Sequence, residues 1–312
     1  MQLIRELDNT FITGPSYVTV GVFDGVHRGH QQLISRMTQA AHANGALAAA
    51  YTFDPHPSTV LGRQPAPLLS TVEERAELLE ILGLDYLVVP LFTPETVRMP
   101  AADFVDMLIR HLSMTELWAG PDFGLGYRRQ GDLPFLRQLG AERGFDVRVV
   151  DRLMCNGMRV SSSSIRAALS RGDIAWATHC LGRPYRLTGV RDSETPRSDQ
   201  SDWFFVNVPP ERMVPATGVY ACLAQVHSHH HAAVVRVDGA PDPADWPTTV
   251  RAHVVDLEVT ASTDKIALDF IARLSGEHTP MQPTDEVPIG RYIEQARAWI
   301  EPHLPQPSRP CG

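Results

Sequence analysis

The chain has 312 residues, which is enough for two domains of about 150 residues each. Hydrophobic residues make up 43% of it and charged residues 21%, a globular composition that excludes a wholly disordered, collagenous or coiled-coil chain. The formal net charge of −8 argues against a general nucleic-acid-binding protein, although it leaves room for a local phosphate site.

The composition also predicts a cytoplasmic protein with no membrane partner. No apolar run reaches the roughly 18 residues that a transmembrane helix requires. Residues 1–10 include charged side chains and lack an apolar core, so we expect no signal peptide. The four cysteines, Cys155, Cys180, Cys222 and Cys311, lack CxxC spacing, which argues against a disulfide framework or a zinc site and fits a reducing compartment.

Strands alternate with helices over the first half of the chain. The periodicity predicts strands at 17–20, 47–53, 86–89, 116–119 and 147–150. It predicts helices at 33–41, 73–82, 102–112 and 132–143. Strands separated by helices of this length pair in parallel, so we expect an α/β fold with a sheet covered on both faces. Such sheets bind ligands at the carboxyl ends of their strands.

The second half predicts a small antiparallel β domain that is closed by two helices. The strands are expected at 203–208, 219–226, 232–237 and 250–257, and the helices at 265–274 and 289–300. In the last helix an apolar stripe is expected to be core: Ile293, Ala296, Trp299 and Ile300. Four histidines between two strands, at 227 and 229–231, favour a solvated hairpin loop over a metal site. We expect a domain boundary between residues 184 and 185, with a disordered tail at 303–312.

The most specific motif follows the first predicted strand of the sheet: GVFDGVHRGH, residues 21–30. Gly25 and Gly29 allow the backbone to approach phosphate oxygens, and the helix that begins here offers unpaired N–H groups to an anion. His27 and His30 can donate hydrogen bonds to the charge that develops during nucleotidyl transfer. Two histidines alone make a poor zinc site. The remaining alternative is a pair of capping or surface histidines.

This motif resembles that of the HxGH nucleotidyltransferases, and among them the bacterial FAD synthetases, in which an N-terminal domain adenylylates FMN and a C-terminal riboflavin kinase makes FMN. Further segments resemble that family: TFDPHP at 52–57, AGPDFGLG at 119–126, VSSSSIR at 160–166 and LGRPY at 181–185. The resemblance implies a Rossmann-like nucleotidyltransferase domain over residues 1–184. It implies a riboflavin-kinase-like antiparallel β-barrel with a C-terminal helix over residues 185–302.

The resemblance also implies a role for each matching residue. The implied catalytic residues are His27, His30, Ser163 and Arg166. The implied ATP-binding residues are Gly21, Phe23, Asp24, Gly29 and Ser164. The implied flavin-binding residues are Phe53, His56, Pro57, Asp122 and Phe123. No residue is implied as a metal ligand, and Mg²⁺ is expected on the triphosphate of the substrate ATP. From the residues alone, the serine run is also typical of a helix N-cap, and the two phenylalanines of ordinary core.

Some positions depart from the family pattern. Gly124 and Leu125 replace a bulkier or basic residue and a phenylalanine, which predicts a looser wall on the flavin side. In the second domain no Pro-Thr precedes Asn207, residues 194–199 replace a glycine-rich approach, and Arg251 stands at the position of the catalytic base. Since a guanidinium cannot accept a proton, we expect riboflavin kinase activity to be absent.

Two other functions remain open at this point. The same chemistry could act on a modified flavin phosphate or another phosphomonoester, with CTP in place of ATP. A non-catalytic flavin- or nucleotide-binding regulator is the other alternative, and the histidine, serine and arginine set argues against it. The sequence leaves the oligomeric state open.

Overall fold

The structure is a computed structural model that describes part of the chain. It covers residues 1–7, 11–62, 66–155, 157–192, 203–227, 229–239, 248–255, 265–274 and 289–300. The predicted tail at 303–312 therefore lies outside the described residues. The chain divides into two compact units, Met1–Ser162 and Ser163–Gly312.

The first unit alternates strands and helices along the chain. Its strands are β1 (Gln2–Ile4), β2 (Ser16–Val20), β3 (Leu47–Tyr51), β4 (Tyr86–Val88), β5 (Met114–Ala119), β6 (Gly124–Leu125), β7 (Gly131–Asp132), β8 (Asp146–Val149), β9 (Met154–Cys155) and β10 (Met158–Arg159). Its helices are α1 (Arg28–Ala43), α2 (Pro57–Val60), α3 (Val72–Ile81), α4 (Pro94–Arg98), α5 (Ala101–Leu112) and α6 (Leu133–Arg143). All five strands and all four helices predicted for this region are present; most ends shift by one or two residues, whereas α1 begins five residues earlier than predicted.

Within the described residues, six strands of this unit form a parallel sheet in the order β1-β4-β3-β2-β5-β8. The chain runs from β2 through β3 to β4 on one side and then continues with β5 and β8 on the other. The strand order therefore reverses at β2, where an open α/β sheet has its ligand-binding crevice. The loops that follow β2 and β5 leave the sheet at this crevice.

Helices cover both faces of the sheet, because the strand residues are apolar on both sides. Val18 and Val20 point to the cluster that includes Phe104 and Leu108 of α5. Tyr17, with its neighbours on β3, packs on the opposite face against a cluster that α1 and α3 complete. The expected α/β fold with a doubly covered parallel sheet is confirmed.

The second unit contains a closed antiparallel barrel. Its elements are α7 (Ser162–Leu169, of which the first residue belongs to the first unit), α8 (Ile174–Leu181), β11 (Tyr185–Arg191), β12 (Phe204–Asn207), β13 (Gly218–Val226), β14 (His229–Asp238), β15 (Thr249–Val254), β16 (Lys265–Arg273) and α9 (Ile289–Ile300). The barrel order is β11-β12-β15-β14-β13-β16. The predicted helix at 289–300 is confirmed, and Ala296 and Ile300 are buried against the barrel.

Three predictions for this unit are wrong. The segment predicted as a helix at 265–274 is the strand β16, which pairs with both β11 and β13 and so closes the barrel. The histidines at 229–231 belong to β14 and pair with residues 224–226, so only His227 lies in the hairpin turn. Trp299 is 54% exposed and is not part of the core stripe on α9.

No helix among the described residues has the length and apolar character needed to cross a membrane.

Candidate active site

The turn between β2 and α1 has an unusual backbone. Phe23 and Val26 have φ values of 50° and 38°, and Gly25 between them has 75°. Bulky and β-branched residues rarely adopt this left-handed region, and each such residue is strained and keeps the conformation only where its surroundings hold it there. The amide of Val26 donates to the carbonyl of Phe23 at 2.9 Å, which closes the turn. The turn brings the two motif histidines to the start of α1.

His27 is the N-cap residue of α1, and the residue is 7% exposed. Its Nδ1 accepts a hydrogen bond from the backbone amide of His30 at 3.3 Å. Because Nδ1 is an acceptor here, the proton of the neutral ring lies on Nε2, which can donate it to an anion. The rings of His27 and His30 stack with centroids 3.6 Å apart. A Cβ at Gly29 would lie 3.2 Å from the His27 ring, so the absence of a side chain at this position leaves room for the ring.

The His30 ring lies in a desolvated position, although part of the residue is accessible. Its Nδ1 is buried and has no hydrogen-bond partner among the described residues. Burial, assisted by the neighbouring His27, lowers the pKa of His30 well below 6.5. The ring is therefore neutral at physiological pH.

Phe23 and Gly21, expected at the adenylate pocket, pack against each other, and the Phe23 ring also contacts the His30 ring. Phe23 is 2% exposed, and the edge contact of its ring with His30 has centroids 5.3 Å apart at 82°. The same ring covers Gly21, where a Cβ would lie 2.9 Å from it. This close approach requires glycine at position 21.

Asp24, expected beside the phosphates, directs its carboxylate into the protein. The carboxylate accepts hydrogen bonds from the amides of Leu69 and Ser70, both at 3.0 Å, and from the Ser70 hydroxyl at 3.2 Å. The Ser70 hydroxyl also accepts from the amide of Gly25 at 2.8 Å. The Asp24 carbonyl accepts from Ser162 Oγ at 2.9 Å. Asp24 thus anchors the histidine turn to two other segments, a contribution that the sequence did not reveal.

The segment after β3 carries three of the expected flavin-side residues. Phe53 is partly buried and makes edge contacts with Tyr51 and Phe92, at centroid distances of 5.5 and 5.0 Å. His56 caps the short helix α2, and Pro57 is its first residue. The structure places these residues one strand away from the histidine turn, at the same edge of the sheet.

The loop after β5 carries Asp122 and Phe123 on the other side of the crevice. Phe123 packs on the core, whereas the half-exposed Asp122 carboxylate forms ion pairs with Arg152 and, at 3.4 Å, with Arg159. Arg129 donates to the Asp122 carbonyl. Sequence reasoning missed these three arginines. Of the three, only Arg159 gave a signal in the sequence, because it lies shortly before the serine run. The contacts of all three with Asp122 depend on the fold.

Gly124 and Leu125 form the short strand β6, and the looser flavin wall predicted there stays a prediction. Leu125 is 6% exposed and packs into the core. A Cβ at Gly124 would lie 3.3 Å from Arg129, whose side chain therefore covers this glycine.

Ser163, Ser164 and Arg166 lie on α7 within the second unit. Ser163 is exposed, and the other two are partly buried. The predicted phosphate-binding role of these three residues stays a prediction.

Arg251, at the position of the expected kinase base, belongs to an ion-pair cluster of the barrel. Its guanidinium donates to Asp238 at 2.6 and 3.1 Å and lies 5.8 Å from the Phe205 ring centroid. Asp238 is 5% exposed and also accepts from Arg236 at 2.6 Å. Asn207 ends β12 and is exposed. Residues 194–199 lie outside the described residues.

The reversal of strand order at β2, with paired histidines in the turn that follows, places the first unit among the α/β nucleotidyltransferases. Comparison with known families agrees: the family model described as FAD synthetase matches residues 11–164, and the one described as riboflavin kinase matches residues 181–286. The chain belongs to the family of bifunctional riboflavin kinase/FMN adenylyltransferases.

Individual relatives cover most of this chain. The enzyme of that name from Pseudomonas fluorescens is 31% identical over 89% of this chain and 90% of its own. The Bacillus subtilis (strain 168) protein is 33% identical over 84% and 85%, and the Escherichia coli (strain K12) protein is 32% identical over 71% and 72%. A solved structure titled as a macrolide-efflux protein from Streptococcus pneumoniae superposes with a TM-score of 0.81 over 96% of this chain and 97% of that one. At 20% identity, it supports the fold alone.

Proposed function

We propose that this protein transfers AMP from ATP to FMN, giving FAD and pyrophosphate. A phosphate oxygen of FMN forms a bond to the α-phosphorus of ATP, and the bond from that phosphorus to the bridging oxygen breaks as pyrophosphate leaves. The FMN phosphate is already an anion at neutral pH, so catalysis needs positioning and charge stabilisation rather than a strong base. The observation that carries the proposal is the stacked His27–His30 pair, in which His30 Nδ1 is buried without a partner among the described residues.

The proposal assigns a separate role to each group of residues. His27 donates from Nε2 to a phosphate oxygen, and His30 provides the second imidazole for the charge on the α-phosphate. Ser163, Ser164 and Arg166 bind the triphosphate through hydroxyl groups and a planar guanidinium. The flavin contacts come from the two loops that follow β3 and β5: Phe53, His56, Pro57, Asp122 and Phe123.

Mg²⁺ fits this site as part of the nucleotide substrate. Among the described residues, no group of three or more His, Cys, Asp or Glu is arranged to hold a metal ion. The carboxylate of Asp24 is occupied by Leu69 and Ser70. Mg²⁺ prefers oxygen ligands and commonly binds substrate phosphates, so ATP itself supplies its ligands. Bound there, it neutralises charge on the triphosphate.

The proposal includes the absence of riboflavin kinase activity, although the kinase family model matches the second unit. The buried carboxylates described in the barrel, Asp238 and Asp269, are both engaged by arginine. Arg251, at the position expected for the base, has its guanidinium tied to Asp238. A carboxylate occupied in this way is a poor proton acceptor, and loss of a positioned base lowers a rate by roughly 10²–10⁴-fold.

A cytoplasmic location is part of the same proposal. Cys155, Cys180 and Cys222 form no disulfide bond among the described residues, which is consistent with a reducing compartment.

The test is a product analysis with the purified full-length protein. It is incubated with Mg²⁺, with ATP or CTP, and with FMN, riboflavin or a panel of other phosphomonoesters, and the products are identified by mass spectrometry. The proposal expects FAD from FMN and ATP, and no FMN from riboflavin. Adenylylation of another acceptor while FMN stays unchanged would replace the proposed substrate, and no reaction with any acceptor would contradict an enzymatic function. FMN formed from riboflavin would contradict the loss of the kinase.

A further inference from the structure

Arg75 is a buried arginine on the inner face of α3, only 4% exposed. A charged side chain is rarely buried unless its donors are used. Its Nε donates to the carbonyl of Thr71 in its own helix, at 3.3 Å. Its Nη1 bonds to residues outside the helix: it donates to the carbonyl of Val22 at 2.7 Å and to Thr52 Oγ1 at 3.2 Å. Arg75 therefore connects α3 to the loops that follow β2 and β3.

The contact with Val22 acts on the strained part of the histidine turn. The Val22 carbonyl accepts a second hydrogen bond, from Thr52 Oγ1 at 3.0 Å, so two donors fix its direction. Because the peptide group is planar, a fixed Val22 carbonyl also fixes the amide of Phe23. Phe23 has a φ of 50°, a conformation that a bulky residue keeps only where the surroundings determine it.

Phe23 transmits this restraint to the catalytic pair. Its ring is held between Gly21 and His30, with the edge contact to His30 at a centroid distance of 5.3 Å. The His30 ring stacks in turn on His27. A continuous chain of contacts thus leads from a guanidinium that lies outside the motif to both imidazoles.

We propose that Arg75 is a positioning residue for adenylyl transfer, which sets the direction of the His30 ring through the Val22 carbonyl and the Phe23 ring. Among the described residues its hydrogen bonds go to Thr71, Val22 and Thr52, and the function proposed above assigns it no substrate contact. The proposal deepens the function proposed above and rests on it for its kinetic test. Its effect falls on the transition state, because a small displacement of a catalytic group can lower turnover by roughly 10²-fold.

The kinetic test compares variants of the network with a core variant of the same helix. Arg75→Met removes all three hydrogen bonds, Arg75→Lys keeps the charge, and Thr52→Val removes the second donor to Val22. Leu79→Ala is the control, because Leu79 is fully buried on α3 but has no hydrogen bond to the turn. We expect kcat to fall roughly 10- to 100-fold in Arg75→Met with KM for ATP nearly unchanged, and by less in Arg75→Lys and Thr52→Val.

The control separates positioning from stability. Leu79→Ala lowers the melting temperature through lost packing, and its kcat, measured well below that temperature, should stay near the wild-type value. If Leu79→Ala loses as much kcat as Arg75→Met at equal destabilisation, Arg75 is merely structural and the proposal is wrong. If Arg75→Met does not fold, Arg75→Lys and Thr52→Val decide, and wild-type kcat in both would overturn the proposal.

A second measurement does not depend on the reaction. Long-range ¹H–¹⁵N spectra of the full-length protein without substrate report the tautomers and surroundings of His27 and His30. We expect their resonances to shift in Arg75→Met and Thr52→Val and to stay in place in Leu79→Ala. Unchanged resonances in both network variants would overturn the positioning role. If the wild-type protein formed no FAD, the proposed function would fail, and these spectra would still decide whether Arg75 orients the histidines.

Discussion

Gly21→Ala tests whether the close packing of the Phe23 ring between Gly21 and His30 is needed for catalysis. The added Cβ would lie 2.9 Å from two atoms of the Phe23 ring, whereas carbon atoms in contact are normally about 3.5–4.0 Å apart. The ring has to move by roughly 0.6–1.1 Å to restore that separation. Since Phe23 is 2% exposed and its ring contacts His30, the displacement passes to His30.

We expect Gly21→Ala to lower kcat for FAD formation by roughly 10- to 100-fold and to destabilise the protein by about 1–3 kcal/mol through overpacking. The assay follows FAD by chromatography at saturating ATP and FMN, together with a urea denaturation curve. Gly120→Ala is the matched control, because Gly120 also follows a strand of the sheet and a Cβ there meets nothing within 4 Å. A wild-type kcat in Gly21→Ala would refute the reasoning, as would a raised KM for ATP with unchanged kcat, which would mean that the methyl group only obstructs the nucleotide.

Three further predictions concern the same turn. His30→Ala should lower kcat by roughly 10²–10³-fold, the usual effect of deleting one transition-state donor, with little change in the urea midpoint; near-normal turnover would remove His30 from the mechanism. The pKa of His30 is lower in the folded protein than its ordinary value of 6.5, so below that pH the unfolded chain binds more protons and the free energy of unfolding falls. Urea midpoints measured at pH values on both sides of 6.5 should therefore differ less in His30→Asn than in the wild type, and an equal pH dependence would contradict the burial argument. Asp24→Asn removes the charge that strengthens these hydrogen bonds and puts an NH₂ group in place of Oδ2, against the amide of Leu69, so the free energy of unfolding should fall by about 1–3 kcal/mol; an unchanged value in urea denaturation would argue against the anchoring role.

The parallel sheet could be predicted from the sequence because its signals are local. Helices such as α1 and α5 show the helical period, and β2 and β3 are short apolar runs between turn residues. The strand β16 was misread because a short, mostly apolar segment fits a helix or a strand, and its pairing with β11 and β13 decided the outcome. The edge strand β1 was missed because its three residues depend on pairing with β4, more than 80 residues later.

The same distinction between local signals and contacts of distant residues applies to the candidate site. The histidine motif is continuous in the sequence, so its turn and its position at a helix start could be predicted. The anchors of that turn could not, because Asp24 pairs with Ser70 and Arg75 pairs with Val22 across 46 and 53 positions of the chain. One signal was available for Arg75, since it occupies the apolar face of a predicted helix, where a charged residue needs a partner.

The most direct test of the central claim is a measurement of FAD and pyrophosphate formed from FMN and Mg²⁺-ATP by the full-length protein and by its His27→Ala/His30→Ala double variant. The account predicts that the wild-type protein forms the two products in equal amounts. It predicts that the folded double variant forms them at least roughly 10²-fold more slowly. Equal rates in the two proteins would contradict the account, because the histidine pair would then have no part in adenylyl transfer.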